Sequence, residues 1–162
     1  MVSIKPPESY IHNDDEISLF VAGSIEMGTA PDWQNDFERF FRDLDVIILN
    51  PRRDDWDSNE PQVYENAYFK DQVNWELDNL EKADYIFLYL HPETISPISL
   101  LELGESSDKN IVVCCPQGYF RRGNIQIYCK RKGIRLIDNL YEAKQYMRSI
   151  INVEIKRRKA IG

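Results

Sequence analysis

The stretch QVNWELDNLEKADYIFLYLHP, residues 72–92, changes its period in the middle, and that change decides the fold. Up to Ala83 the apolar residues Phe69, Val73, Leu77 and Leu80 step by four, four and three, the spacing of one helix face. This predicts a helix over 66–82 with those four residues toward the core. From Asp84 to Leu90 the sequence reads DYIFLYL, an apolar run that predicts a strand buried on both faces. His91-Pro92 ends it, because proline has no N–H for a sheet ladder.

The same alternation extends to both sides. Ile17 to Ala22 (ISLFVA) predicts a buried strand that turns at Gly23-Ser24. Pro31 is placed as a first helical residue, followed by Trp33, Phe37, Phe40, Phe41 and Leu44 on one face. DVIILN (45–50) is the next strand, stopped by Pro51, and a polar loop occupies 51–65. Beyond the central stretch, Ser96-Pro97 opens a helix through about Ser107. NIVVCC (110–115) is a strand stopped by Pro116, residues 124–130 read as helix, and IRLI (134–137) as a short strand. Ala143, Met147, Ile150 and Ile151 mark a final helix ending in Lys156-Arg157-Arg158-Lys159, where cations favour the helix dipole. Strands alternating with helices predict an α/β fold with a doubly wound, flavodoxin-like, five-stranded parallel sheet. It forms a single domain over 16–162, preceded by an irregular arm over 1–15.

Composition narrows the function. The formal charge is 20 − 27 = −7, which argues against binding polymeric nucleic acid. No apolar run reaches the roughly 20 residues that span a bilayer. The acidic, proline-containing start is not a secretory signal, so a cytoplasmic protein without membrane partners is expected. Three cysteines, two of them adjacent, and two histidines offer no CxxC and no metal-ligand pattern. Neither a metal nor a cofactor is expected. Nucleotide-binding glycine motifs of the GxGxxG and GxxxxGK[ST] types are absent, as is a GxSxG elbow. A flavin-binding reading lacks a Ser/Thr-rich phosphate loop after the first strand.

In a doubly wound sheet, ligands bind outside the carboxyl ends of the strands. Those ends are Ala22-Gly23-Ser24, Asn50-Pro51-Arg52-Arg53, Leu90-His91-Pro92 and Cys115-Pro116-Gln117. Gly23, Ser24 and Ile25 offer backbone N–H groups and a hydroxyl to a phosphate or sugar; alternatively Gly23 only makes the turn. Arg52 and Arg53 either contact a phosphate or keep their loop soluble. Glu102, in SLLELGE (99–105), faces either a cleft or solvent. Gln72, Trp75, Glu76 and Asn79 share a helical stripe beside the core face. A Trp flanked by an amide and a carboxylate suits a planar ring, or else is a half-buried Trp with solvated neighbours.

With these residues in view, the sequence resembles the nucleoside 2-deoxyribosyltransferase family, in its deoxyribosyltransferase-like branch. The resemblance is carried by LFVAGSI (19–25), ILNPRR (48–53), QVNWELDNLEKADYIFLYL (72–90), PISLLELG (97–104) and YFRRGNIQIYC (119–129). It implies that Glu102 is the nucleophile, attacking C1′ of a 2′-deoxynucleoside or its monophosphate to form a glycosyl ester that a free base then displaces. It implies that Glu76, eight residues before Asp84, serves the base as a hydrogen-bonding or proton-donating acid. It also implies that Asn124 reaches the active site of a neighbouring subunit, making a homo-oligomer with shared sites. Asp84, at the amino end of its strand, reads as structural. The sequence departs from the family at three places. Ser96 stands where the family has Asp six residues before the nucleophile, Leu19 where it has a first-strand Tyr, and Ile98-Ser99-Leu100-Leu101-Glu102 where it has GTxxE. Hydrolysis to free base, or nucleotide binding without turnover, remain the competing readings.

Overall fold

A computed structural model describes residues 1–26 and 30–161 of the 162-residue chain. Its strands are β1 (Val2–Ile4), β2 (Ser18–Gly23), β3 (Ile47–Leu49), β4 (Tyr85–Tyr89), β5 (Ile111–Cys114) and β6 (Arg135–Ile137). Its helices are α1 (Trp33–Phe41), α2 (Ala67–Lys82), α3 (Pro97–Glu105), α4 (Arg122–Lys132) and α5 (Leu140–Ile161). All strand pairs are parallel, in the order β1-β3-β2-β4-β5-β6. The doubly wound α/β class is therefore as the sequence predicts.

Alternation along each central strand divides the core in two. Phe20, Ala22, Ile86 and Leu88 point to the side covered by α2, α3 and α4, where they meet Trp75, Leu80, Leu103, Ile125 and Cys129. Leu19, Val21, Phe87 and Tyr89 point to the other side, where α1 and α5 bring Trp33, Phe37, Phe41, Met147 and Ile151. The stacked rings of Phe37 and Phe41, 4.4 Å apart, lie within this second layer. Asp84 is structural, as expected. It accepts from the Ser18 N–H (2.8 Å) and hydroxyl (3.0 Å), and pairs with Arg158 (3.2 Å), tying the end of α5 to the amino edge of the sheet.

The sheet has six strands, not five. The extra one, β1, lies inside the segment expected to be irregular, and it pairs with β3. Three residues are too few for a readable alternation, and only the free edge of β3 makes them a strand. Element ends also shift. Asp32 caps α1 by accepting from the Asn35 N–H, so the helix starts at Trp33 and not at Pro31. Helix α4 begins two residues earlier than expected.

The larger correction concerns α2. The side facing the sheet carries Gln72, Trp75, Asn79 and Leu80, while Leu77 is 47% exposed and Phe69 and Val73 only part-buried. The helix is rotated so that its polar-aromatic stripe is inside. That rotation buries Gln72 and leaves Glu76 part-buried.

Gly23 shows why the turn after β2 needs glycine. Its φ is +133°, and a Cβ there would lie 2.1 Å from the Tyr89 carbonyl oxygen on β4. The Ser24 N–H donates to that same carbonyl at 2.9 Å. A methyl group would both clash with backbone and force a conformation reserved for glycine. Gly23→Ala should therefore lower Tm by more than about 10 °C in thermal denaturation, or prevent folding. Gly104→Ala, where nothing lies within 4 Å of the added carbon, should leave Tm nearly unchanged.

Candidate active site

The carboxyl ends of β2, β3 and β4 meet beneath the starts of α2 and α3. Gln72, on the first half of α2, donates through one amide nitrogen to two acceptors. One is the Pro51 carbonyl at the end of β3 (3.0 Å), and the other is Glu76 Oε1 one turn along (2.6 Å). The other end of the amide, Oε1, is buried with no hydrogen-bond partner among the described residues. Trp75 stands between them with its indole packed near Phe20 and its N–H donating to the Glu8 carbonyl (2.7 Å). The arm before β2 thus closes over α2. Trp75 is committed to that contact and to the core.

Glu102 projects from the middle of α3 and is 8% exposed. The sequence left it between cleft and solvent; the structure buries it. Burial drives its carboxyl well above the usual carboxylate range, and the nearby Glu76 pushes it further the same way. Burial likewise pushes Glu76 up to about 7, against the Gln72 hydrogen bond that favours its charged form. Two carboxyls on neighbouring helices therefore feel each other in a poorly hydrated space. Such a pair titrates as a unit, and the first charge inhibits the second.

The start of α3 is clamped to the turn after β2. The hydroxyls of Ser24, Thr94 and Ser96 form a closed triangle with edges of 2.8, 2.8 and 2.7 Å. The Ser24 hydroxyl also accepts the His91 N–H (2.9 Å). Glu26 accepts from the N–H groups of Ile95 (3.1 Å) and Ser96 (2.6 Å), placing a carboxylate at the N-terminus of α3. Both Glu26 and Ser96 have φ of +48°, so the clamp holds strained backbone on each side. Glu26 and Thr94 escaped sequence reasoning. Their signal, an acid after the Gly-Ser turn and a TxSP start to a helix, becomes legible only once the two loops are adjacent.

The remaining candidates divide. Asn50 is buried, donates to Glu38 Oε1 (2.6 Å) and accepts the Arg52 N–H (2.9 Å). The Arg52 guanidinium donates to the carbonyls of Ala30 (2.9 Å) and Pro31 (3.0 Å), holding the chain that leads into α1. Arg53 is bound by Asp55 (2.9 and 3.1 Å) and lies over the Tyr68 ring. Both arginines thus serve loop geometry. Ile25 is half-buried beside the turn. Asn124 lies exposed in the first turn of α4, and its side chain makes no hydrogen bond among the described residues. Among those residues no group of three or more His, Cys, Asp or Glu is placed to hold a metal ion. No helix among them is long and apolar enough to cross a membrane.

The buried pair carries a cost that titration exposes. The Glu76 carboxyl holds its proton more tightly folded, at about 7, than unfolded, near 4.5. Its contribution to stability is therefore complete below the unfolded value and lost as pH rises through about 7. Glu76→Gln keeps the oxygen that Gln72 binds and cannot ionise. It should raise Tm by several degrees at pH 8 and change it little at pH 5, measured by calorimetry at both values.

Residues 16–119 match the family described as nucleoside 2-deoxyribosyltransferase like. That span holds Ser24, Gln72, Glu76, Ser96 and Glu102, and ends before Asn124. No curated protein matches the chain. A solved structure, described as the crystal structure of a conserved protein from Enterococcus faecalis V583, is similar with a TM-score of 0.57 and 13% identity. The similarity covers 83% of this chain and 98% of that one, and shows a shared fold.

Proposed function

The chain belongs to the nucleoside 2-deoxyribosyltransferase-like family, and from that membership and the buried carboxyl pair we propose that it transfers a 2-deoxyribosyl group between bases. The observation that carries this reading is the juxtaposition of Glu102 and Glu76, two acids of different environment on adjacent helices. Glycosidic chemistry needs one carboxylate to attack and one carboxylic acid to protonate the leaving group.

The steps balance as follows. A carboxylate oxygen of Glu102 bonds to C1′ of the deoxynucleoside while the bond from C1′ to the base nitrogen breaks. The bond's electron pair leaves with the base, which takes the proton of Glu76. An incoming base then attacks C1′ through a ring nitrogen, returning its N–H proton to Glu76 and releasing the Glu102 carboxylate. Water in place of that base would give free deoxyribose. Alone, the pair favours its one charge on Glu76, the less perturbed acid. A base nitrogen that accepts the Glu76 proton in a hydrogen bond holds it there and leaves the charge on Glu102. The developing oxocarbenium ion then stabilises that carboxylate in a site with little water to compete.

The partner is proposed to be a second copy. Ile98 and Leu101 on the outer side of α3, and Phe120 and Ile127 at α4, are all exposed large apolar side chains. Along the chain, Phe120 and Ile127 bracket Asn124, whose exposed amide would then point into the neighbouring subunit. Such a patch, with Arg121 at its rim, has the composition of a protein interface.

Two outcomes follow. Glu102→Gln should cut transfer of deoxyribose from deoxycytidine to adenine by about 10⁴-fold or more, with an unchanged circular dichroism spectrum. A variant of wild-type rate would remove Glu102 from the reaction, and release of free cytosine without exchange would make the protein a hydrolase. The kcat/KM profile of the wild type should be bell-shaped. Its acid limb lies at about 7, where the pair gains its single charge, and its rate falls again when the second carboxyl ionises.

A further inference from the structure

The Gln72 amide has its direction set by its surroundings. Its Nε2 lies between two acceptors, the Pro51 carbonyl at 3.0 Å and Glu76 Oε1 at 2.6 Å. Turning the amide over would set its oxygen against the Pro51 carbonyl, which can only accept, so this orientation is the one the chain permits. The opposite end, Oε1, is then an acceptor by necessity. Among the described residues it has no partner, and Gln72 as a whole is only 6% exposed. A buried amide oxygen without a donor is costly, and structures that keep one usually have a use for it. No described residue consumes this one. It sits one helical turn from Glu76, the acid assigned to the leaving base.

We propose that Gln72 reads the base, and that the site selects bases in which an amino group adjoins a ring nitrogen, as in adenine and cytosine, over their oxo counterparts. This rests on the deoxyribosyl-transfer reading for the location of the base. One turn apart on α2, Glu76 offers a donor and Gln72 Oε1 an acceptor. The Glu76 carboxylic acid donates to the ring nitrogen, and Gln72 Oε1 accepts from the neighbouring amino group. Adenine and cytosine present the complement, an acceptor beside a donor. Hypoxanthine and uracil present a carbonyl where the amino group would be, which sets oxygen against Gln72 Oε1. A site built to hydrogen-bond one group rejects an analogue that leaves its buried polar atom unpaired.

Free bases test this without any chemistry. Isothermal calorimetry of the wild-type protein with adenine, unsubstituted purine and hypoxanthine should give affinities in that order, with adenine at least about 10-fold tighter than hypoxanthine. Cytosine and uracil are the second arm. A preference in only one arm identifies whether the pocket takes purines or pyrimidines. In Gln72→Leu, shown folded by circular dichroism, the adenine-to-hypoxanthine ratio should collapse to within about threefold. The wild-type series stands by itself if that variant does not fold. Equal or reversed affinity for the oxo bases, no binding of any base, or a preference that survives in folded Gln72→Leu would overturn the proposal. An adenine preference in a protein that exchanges no base would instead sink the transfer reading and leave the recognition intact. Exchange that uses deoxyinosine as well as deoxyadenosine would do the reverse.

Discussion

The structure turns on the decision of α2 to face the sheet with polar atoms. Gln72, Trp75 and Asn79 are buried there, and each N–H they bring must find an acceptor. The answers come from three separate parts of the chain. Gln72 uses the end of β3, through Pro51. Trp75 uses the Glu8 carbonyl of the arm. Asn79 donates to the Trp75 carbonyl at 2.8 Å and faces His12 of the arm through its oxygen. The arm and its strand β1 are thereby bound to the fold, and Lys5, just after β1, pairs with Asp54 beyond β3. Of the buried side-chain polar atoms of these three residues, Gln72 Oε1 alone lacks a partner among the described residues, one helical turn from Glu76.

The same burial sets the chemistry. Glu76 would be an ordinary surface acid were α2 rotated the other way, and Glu102 on α3 would lose it as a neighbour. Under the helical layer each is neutralised more readily, and their proximity permits one charge where water would allow two. Part of the fold's stability is given up for this, as expected of a site whose groups are held away from their preferred ionisation. Rigidity at the start of α3 offsets the looseness such a site would have. The hydroxyl triangle of Ser24, Thr94 and Ser96, closed by Glu26, fixes the helix that carries Glu102 to the most central strand pair. Ser96, a departure from the family at sequence level, has a definite task here as the joint of that clamp.

Most of the fold was legible because buried parallel strands announce themselves. DYIFLYL and NIVVCC have no polar face to confuse with a helix, and the prolines at 92 and 116 mark where they stop. The chemistry of the acids at 76 and 102 entered through the resemblance, and so did the role given to Asn124. Strand β1 could not be read, since three residues carry no period, and neither could Glu26, whose partners lie about 70 positions away.

What the sequence determined by itself is the order of elements from β2 to α5, and a sheet covered on both faces, because apolar spacing is a local property that survives without knowledge of neighbours. What only the tertiary structure decided is which side of α2 is inside. By apolar count the stripe of Phe69, Val73 and Leu77 should be the most buried, with Gln72 and Trp75 beside it. The order is reversed because the hydrogen-bond acceptors that make a polar stripe buriable come from Glu8 and Pro51, residues remote in sequence and adjacent only after the sheet has formed. A side chain's cost of burial depends on partners that no local window contains.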